Sequence, residues 1–265
     1  MTPESPPATP EDAARAVVRH MRAAVALAVT AVALLSFVGA GDFWQALGLG
    51  LLGVLLPALA LAQLPLLGMI DVDRVSIYRG SCVTILAVGG VAAALGWLSN
   101  GEFLPGLVAV SPRDLLFWTA AATGGGLALI GISRALGQDP WGSSPGFVLR
   151  LIPRTPREKR LFAGLSIVAG LGEEVAYRGY LLSTLELLGL GQWIGAIGSS
   201  VAFGLLHAYQ GAAGIVRTGL TGLLLVLPVF ATGSLIPSIL AHACINLITG
   251  LMIGPRLLAE GEAPQ

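Results

Sequence analysis

The sequence is short of charge. Only 11% of its 265 residues are Asp, Glu, Lys or Arg, where a soluble domain carries about 25%. So little charge does not cover a water-facing surface, and a soluble globular fold is excluded. Cysteine occurs twice, which excludes a disulfide scaffold and leaves Cys82 and Cys244 as small buried hydrophobes. The 15 basic and 15 acidic residues cancel, so there is no electrostatic footprint for nucleic acid. The 36 glycines follow no three-residue period, which excludes collagen. What the sequence does have is apolar surface: 55% of residues, with a mean hydropathy of +0.81. A polytopic membrane protein remains, and the question becomes where the few charges sit.

A bilayer crossing takes about 20 apolar residues. Candidate stretches are 21–38, 44–69, 77–98, 115–135, 161–187, 193–209, 214–230 and 235–253. The expected fold is therefore all-α, a polytopic bundle of about eight transmembrane helices. Pro57 and Pro65 can kink the second stretch. The seventh carries Arg217 and reads as either a span or a broken, re-entrant segment. If the eight alternate, Arg15, Arg19, Arg22, Arg74, Arg79, Arg134, Arg150, Arg154, Arg157, Lys159, Arg160 and Arg256 fall on one side, with Arg113 alone opposite. By the positive-inside rule both termini are then cytoplasmic. Residues 1–20 read as a disordered tail, 21–137 as an apolar four-helix half, 138–160 as a proline-bearing cytoplasmic loop, 161–253 as a more polar four-helix core and 254–265 as a second tail. The small residues around Gly195, Gly198 and Gly126 suit close helix packing in lipid.

The ionisable residues at depth gather in the second half. Glu173 and Glu174 are adjacent, and Arg178 lies one helical turn past Glu174, where the two can pair. Glu173 points about 100° away around the axis and has no cation on its own helix, which suits a general base. By spacing alone, the trio serves equally well as a structural ion network. His207 ends the sixth stretch, four residues after Phe203. His242 and Asn246 share one face of the eighth. Three helices can bring these groups into one cavity at mid-depth, the setting in which membrane-buried polar residues are tolerated.

Glu-Glu-x-x-x-Arg at 173–178, Phe-x-x-x-His at 203–207 and His-x-x-x-Asn at 242–246 together resemble the CAAX-processing endopeptidase and bacteriocin-processing (CPBP, or Abi) family of intramembrane proteases. The resemblance covers about 160–253; the first four stretches match only in being apolar. It implies an endopeptidase acting on a membrane-associated or CAAX-like peptide or lipidated protein substrate. It implies that Glu173 is the general base, that His207 helps hold the attacking water, and that His242 and Asn246 donate to the oxyanion. Glu174 and Arg178, with Phe203, would order the site, and the Arg178 fork could hold a substrate carboxylate. No cofactor is expected. Two histidines and a glutamate also make an ordinary zinc set, so the alternative is Glu173 or Glu174 with His207 and His242 as ligands.

Other protease chemistries fit less well. Gly39-Ala-Gly-Asp42 matches a Gly-x-Gly-Asp pattern but reads as a turn after the first span. Ser199 and Ser200 lack a Gly-x-Ser-Gly setting. Two non-proteolytic readings stay open: a bacteriocin-immunity or scaffolding membrane protein that keeps the motifs as structure, and a small proton-coupled transporter using Glu173 and His207 as a relay. The arginine-rich, alanine-rich composition points to a bacterial cytoplasmic membrane, with membrane lipids as standing partners. The basic segment 150–160 sets topology and can attract anionic head groups.

Overall fold

The computed structural model describes residues 10–39, 41–67, 69, 71–101, 106–136 and 145–261. Among the described residues there are helices and no strands. The helices are α1 (Pro10–Phe37), α2 (Phe43–Leu66), α3 (Arg74–Asn100), α4 (Pro112–Ala135), α5 (Pro145–Arg150), α6 (Pro156–Glu174), α7 (Gln192–Leu206), α8 (Gly211–Thr232), α9 (Ile236–Ile248) and α10 (Gly254–Gly261).

Among the described residues, six segments are long and apolar enough to cross a membrane: Glu11–Phe37, Phe43–Leu66, Arg74–Ser99, Pro112–Ala135, Ala208–Thr232 and Ile236–Arg256. The other two stretches expected to span are α6, which carries Glu173 and Glu174, and α7, an apolar helix of 15 residues. The segment carrying Arg217 is one continuous helix, α8, with Pro228 inside it, so the broken or re-entrant alternative is set aside.

The first tail is shorter than expected. Helix α1 begins at Pro10, so residues 10–20 are helical. Glu11 and Asp12 occupy its first turn, where carboxylates favour the helix dipole. Ala13, Val17, Ala24 and Ala28 make a buried stripe that runs back past Met21. Residues 1–9 and 262–265, and part of the loop at 137–144, lie outside the described residues. Within the loop, Pro145–Arg150 forms the short α5.

Gly39 and Gly41 have positive φ, and Asp42 caps α2 in a reciprocal box with Gln45. That aspartate is a helix cap, as the turn reading requires. Helix α2 passes through a π-helical stretch, Leu49–Leu55, before Pro57 starts its second α segment.

Helix α6 is central, with α3 on one side and α9 on the other. Two glycines allow this. A Cβ on Gly172 would sit 2.8 Å from the Ile85 carbonyl oxygen of α3, and one on Gly170 would sit 2.6 Å from the Ile239 carbonyl oxygen of α9. Any side chain there would push the backbones apart. Helix α8 packs on α7, and α4 closes the group against α8 and α9. Of the small residues singled out by sequence, Gly126 faces Ile245 and Thr221, and Gly195 faces Leu182 and Glu186. Cys82 and Cys244 are both free.

Candidate active site

Helix α6 starts from a capping box. Thr155 accepts from the Glu158 backbone N–H, the Glu158 carboxylate accepts from the Thr155 N–H, and Pro156 opens the helix. At its far end α6 widens into a π-helical turn, Val175–Leu181. Such a turn frees backbone carbonyls, and in lipid each must find a partner. Ser199 of α7 donates its hydroxyl to the Tyr177 carbonyl at 2.6 Å. Tyr177 and Tyr180 donate to the Leu52 and Trp44 carbonyls of α2 at 3.2 and 2.8 Å. The turn that carries Arg178 is thus held from two neighbouring helices.

Glu174 and Arg178 pair as their spacing predicts, Nη1 to Oε1 at 3.1 Å, with both side chains fully buried. The same Glu174 oxygen also receives His242 Nδ1 from α9, at 2.8 Å. The Arg178 guanidinium lies 4.3 Å from the Phe203 ring centroid, a cation–π contact at low dielectric. Gly222 of α8 makes room for it: a Cβ there would sit 2.6 Å from Arg178 Nη2. Phe203 is the hub, with Tyr177, His207 and His242 ring centroids at 5.6, 4.9 and 5.8 Å.

Glu173 does lie apart from Arg178, but it is not alone. His242 Nε2 is 3.6 Å from Glu173 Oε2, too long for a hydrogen bond yet close enough for electrostatic attraction. His242 therefore stands between the two glutamates. The Glu173 side chain keeps 16% of its surface exposed, and Glu174 none.

His207 Nδ1 is 3.0 Å from the Phe203 carbonyl. A carbonyl only accepts, so Nδ1 carries the proton and Nε2 keeps its lone pair. Asn246 sits one turn beyond His242 on α9 and is half-buried. The three motifs thus converge from α6, α7 and α9. Among the described residues, Glu173 Oε2, Glu174 Oε2, and Arg178 Nε and Nη2 are buried without a hydrogen-bond partner. Orphaned polar atoms gathered in one place are costly, and they are characteristic of sites that bind water or substrate.

The Arg178 guanidinium is buried, and its Nε and Nη2 carry no hydrogen bond. Of the alternative zinc ligands, Glu174 and His242 are bonded to each other, and among the described residues no three His, Cys, Asp or Glu side chains are grouped as a metal set. Glu174 is spent on Arg178 and His242, and His207 Nδ1 on a carbonyl.

Sequence reasoning missed Tyr209 and Gln210. The Tyr209 ring lies 5.8 Å from that of His207, and Gln210 receives Arg217 at 2.8 Å. The available signal was polar: Tyr-Gln directly after the motif histidine, with an intramembrane arginine two turns on.

No curated protein and no solved structure matches the chain. Residues 158–248 match the family model described as type II CAAX prenyl endopeptidase Rce1-like, and this interval contains all three motifs and every residue of the cluster above. Over residues 158–248 the chain is thus similar to the Rce1-like type II CAAX prenyl endopeptidases, and its long apolar helices indicate an integral membrane protein.

Proposed function

We propose that the protein is a glutamate-dependent intramembrane endopeptidase that hydrolyses a peptide bond in a membrane-associated, CAAX-like substrate. The observation that carries this reading is Glu173 Oε2, buried without a hydrogen-bond partner beside His242. A carboxylate oxygen kept unsatisfied on the partly open side of a charged cluster is ready to take a proton from water.

In this reading Glu173 removes that proton as the water attacks the scissile carbonyl, then returns it to the leaving amine. His207 Nε2, left as an acceptor, holds the water's second hydrogen. Asn246, with His242, donates to the oxyanion; such donors are worth roughly 3–4 kcal/mol each in a preorganised site. Glu174 and Arg178 hold His242 and do not touch substrate. No step runs through a metal. We place α6 and α7 as membrane spans alongside the six longer helices, both termini in the cytoplasm, and the protein in a bacterial inner membrane.

The test is cleavage of an internally quenched peptide bearing a farnesylated CAAX cysteine by the purified full chain in detergent. Glu173→Gln and His207→Ala should each lower turnover by about 100-fold or more, and elemental analysis should find no stoichiometric zinc. Cleavage by both variants at the parent rate would remove the catalytic assignment. Partner binding or bacteriocin protection that survives both substitutions would favour the scaffolding role, and substrate flux driven by a pH gradient would favour transport.

A further inference from the structure

Arg217 is a second arginine at membrane depth. It lies in α8, with 8% of its surface exposed. Its Nη2 donates to Gln210 Oε1 at 2.8 Å, and Gln210 Nε2 donates to the Tyr209 hydroxyl at 3.3 Å. Tyr209 in turn packs on His207, with ring centroids 5.8 Å apart and planes inclined by 37°. Phe147 of α5 meets the Tyr209 ring at 6.3 Å. The backbone closes the same loop, with the Gln210 N–H donating to the His207 carbonyl at 2.9 Å.

We propose that Tyr209, anchored through Gln210 to Arg217, is a positioning residue for His207. Two restraints act on that imidazole. The Phe203 carbonyl fixes its tautomer by taking the Nδ1 proton. The rings of Phe203, at 4.9 Å, and Tyr209 fix its plane. Together they aim Nε2 in one direction. A bare Tyr ring beyond a helix end would be free to swing, because residues 208–210 form only a short 3₁₀ turn between α7 and α8. The Arg217–Gln210 chain removes that freedom by tying the hydroxyl to the body of α8. The task also accounts for an arginine at a depth where charge is expensive.

This inference rests on the reading in which His207 holds the nucleophilic water, and its test has a readout that does not need turnover. The protein has three histidines, so a ¹⁵N-histidine-labelled sample in detergent gives few ring signals, and His207→Ala assigns those of His207. At one fixed pH the parent should show His207 as a single Nδ1–H tautomer. Tyr209→Phe and Arg217→Gln should show averaged or broadened ring-nitrogen signals, and Arg217→Lys, which still donates to Gln210, should restore much of the parent spectrum. On the farnesylated CAAX peptide, the two disruptive variants should lose about tenfold in kcat with KM held within about twofold. Tyr209→Phe is nearly isosteric, so it decides the matter even if Arg217→Gln fails to fold. Unchanged His207 signals in folded Tyr209→Phe, or a loss confined to KM, would overturn the inference. If the parent cleaves nothing, the proposed activity fails while the ring-nitrogen comparison still judges the clamp.

Discussion

His242 Nδ1 lies 2.8 Å from Glu174 Oε1, the oxygen that also receives Arg178 at 3.1 Å. One carboxylate oxygen thus joins α6, its π-helical extension and α9. This gives the adjacent glutamates different settings: Oε2 is unpartnered in both, but Glu174 is fully buried with Oε1 doubly bonded, whereas Glu173 keeps some exposure.

The first prediction separates them. Glu173→Gln should lower turnover by about 100-fold or more while leaving the thermal midpoint in detergent near the parent value. Glu174→Ala should destabilise by about 3–5 kcal/mol, because it leaves the Arg178 guanidinium buried without its carboxylate. Thermal unfolding and peptide cleavage measured on the same samples check both. Equal stability losses in the two variants would contradict the division of labour.

The second concerns Gly222. A methyl group there meets Arg178 Nη2 at 2.6 Å and Phe203 Cδ1 at 3.2 Å. The guanidinium is held on its other sides by Glu174 and the Phe203 ring, so it has little room to retreat. Gly222→Ala should cost about 1–3 kcal/mol by overpacking and should lower activity, because Arg178 can move only by loosening Glu174. A variant as stable and active as the parent would show that Arg178 has slack that the structure does not display.

The cluster was legible in sequence to the extent that it is local. The Glu174–Arg178 pair follows from one helical turn of spacing, and the His242–Asn246 face from another. The bond between His242 and Glu174 spans 68 residues, and no local period reaches that far; only the resemblance placed both residues in one site. The clamp around Tyr209 was hidden for a related reason. The Gln210–Arg217 contact begins in a 3₁₀ turn and ends in the next helix, so it follows no single helical repeat. The extent of α1 was misjudged because proline and acidic residues near the terminus outweighed the apolar stripe at Ala13 and Val17.

The third prediction tests the support of the π-helical turn. The Ser199 hydroxyl supplies the Tyr177 carbonyl at 2.6 Å, with Ser199 fully buried. Ser199→Ala removes the donor and leaves the carbonyl unsatisfied, at a cost of about 1–3 kcal/mol. Amide hydrogen exchange across 175–181 should accelerate more than exchange in α8. Uniform acceleration would mean that the loss is global and that the turn has no special dependence on Ser199.

The fourth is a pH effect at the other end of the same helix. Backbone N–H groups of Thr155 and Arg154 donate to the Glu158 carboxylate at 3.0 and 2.7 Å and hold it below the usual carboxylate range, with Arg74 adding a smaller attraction. A carboxylate depressed in the folded state binds its proton more readily in the unfolded state. Its stabilising contribution is therefore complete above the unfolded value of about 4.3 and disappears as pH falls through the lower folded value. Over roughly pH 5 to 3 the parent should lose more thermal stability than Glu158→Gln, whose side chain does not titrate. Thr155→Ala, which removes the reciprocal cap, should cost about 1 kcal/mol at neutral pH. Parallel stability curves for parent and Glu158→Gln across that window would show that the N-terminus of the site-bearing helix is held by something other than this carboxylate.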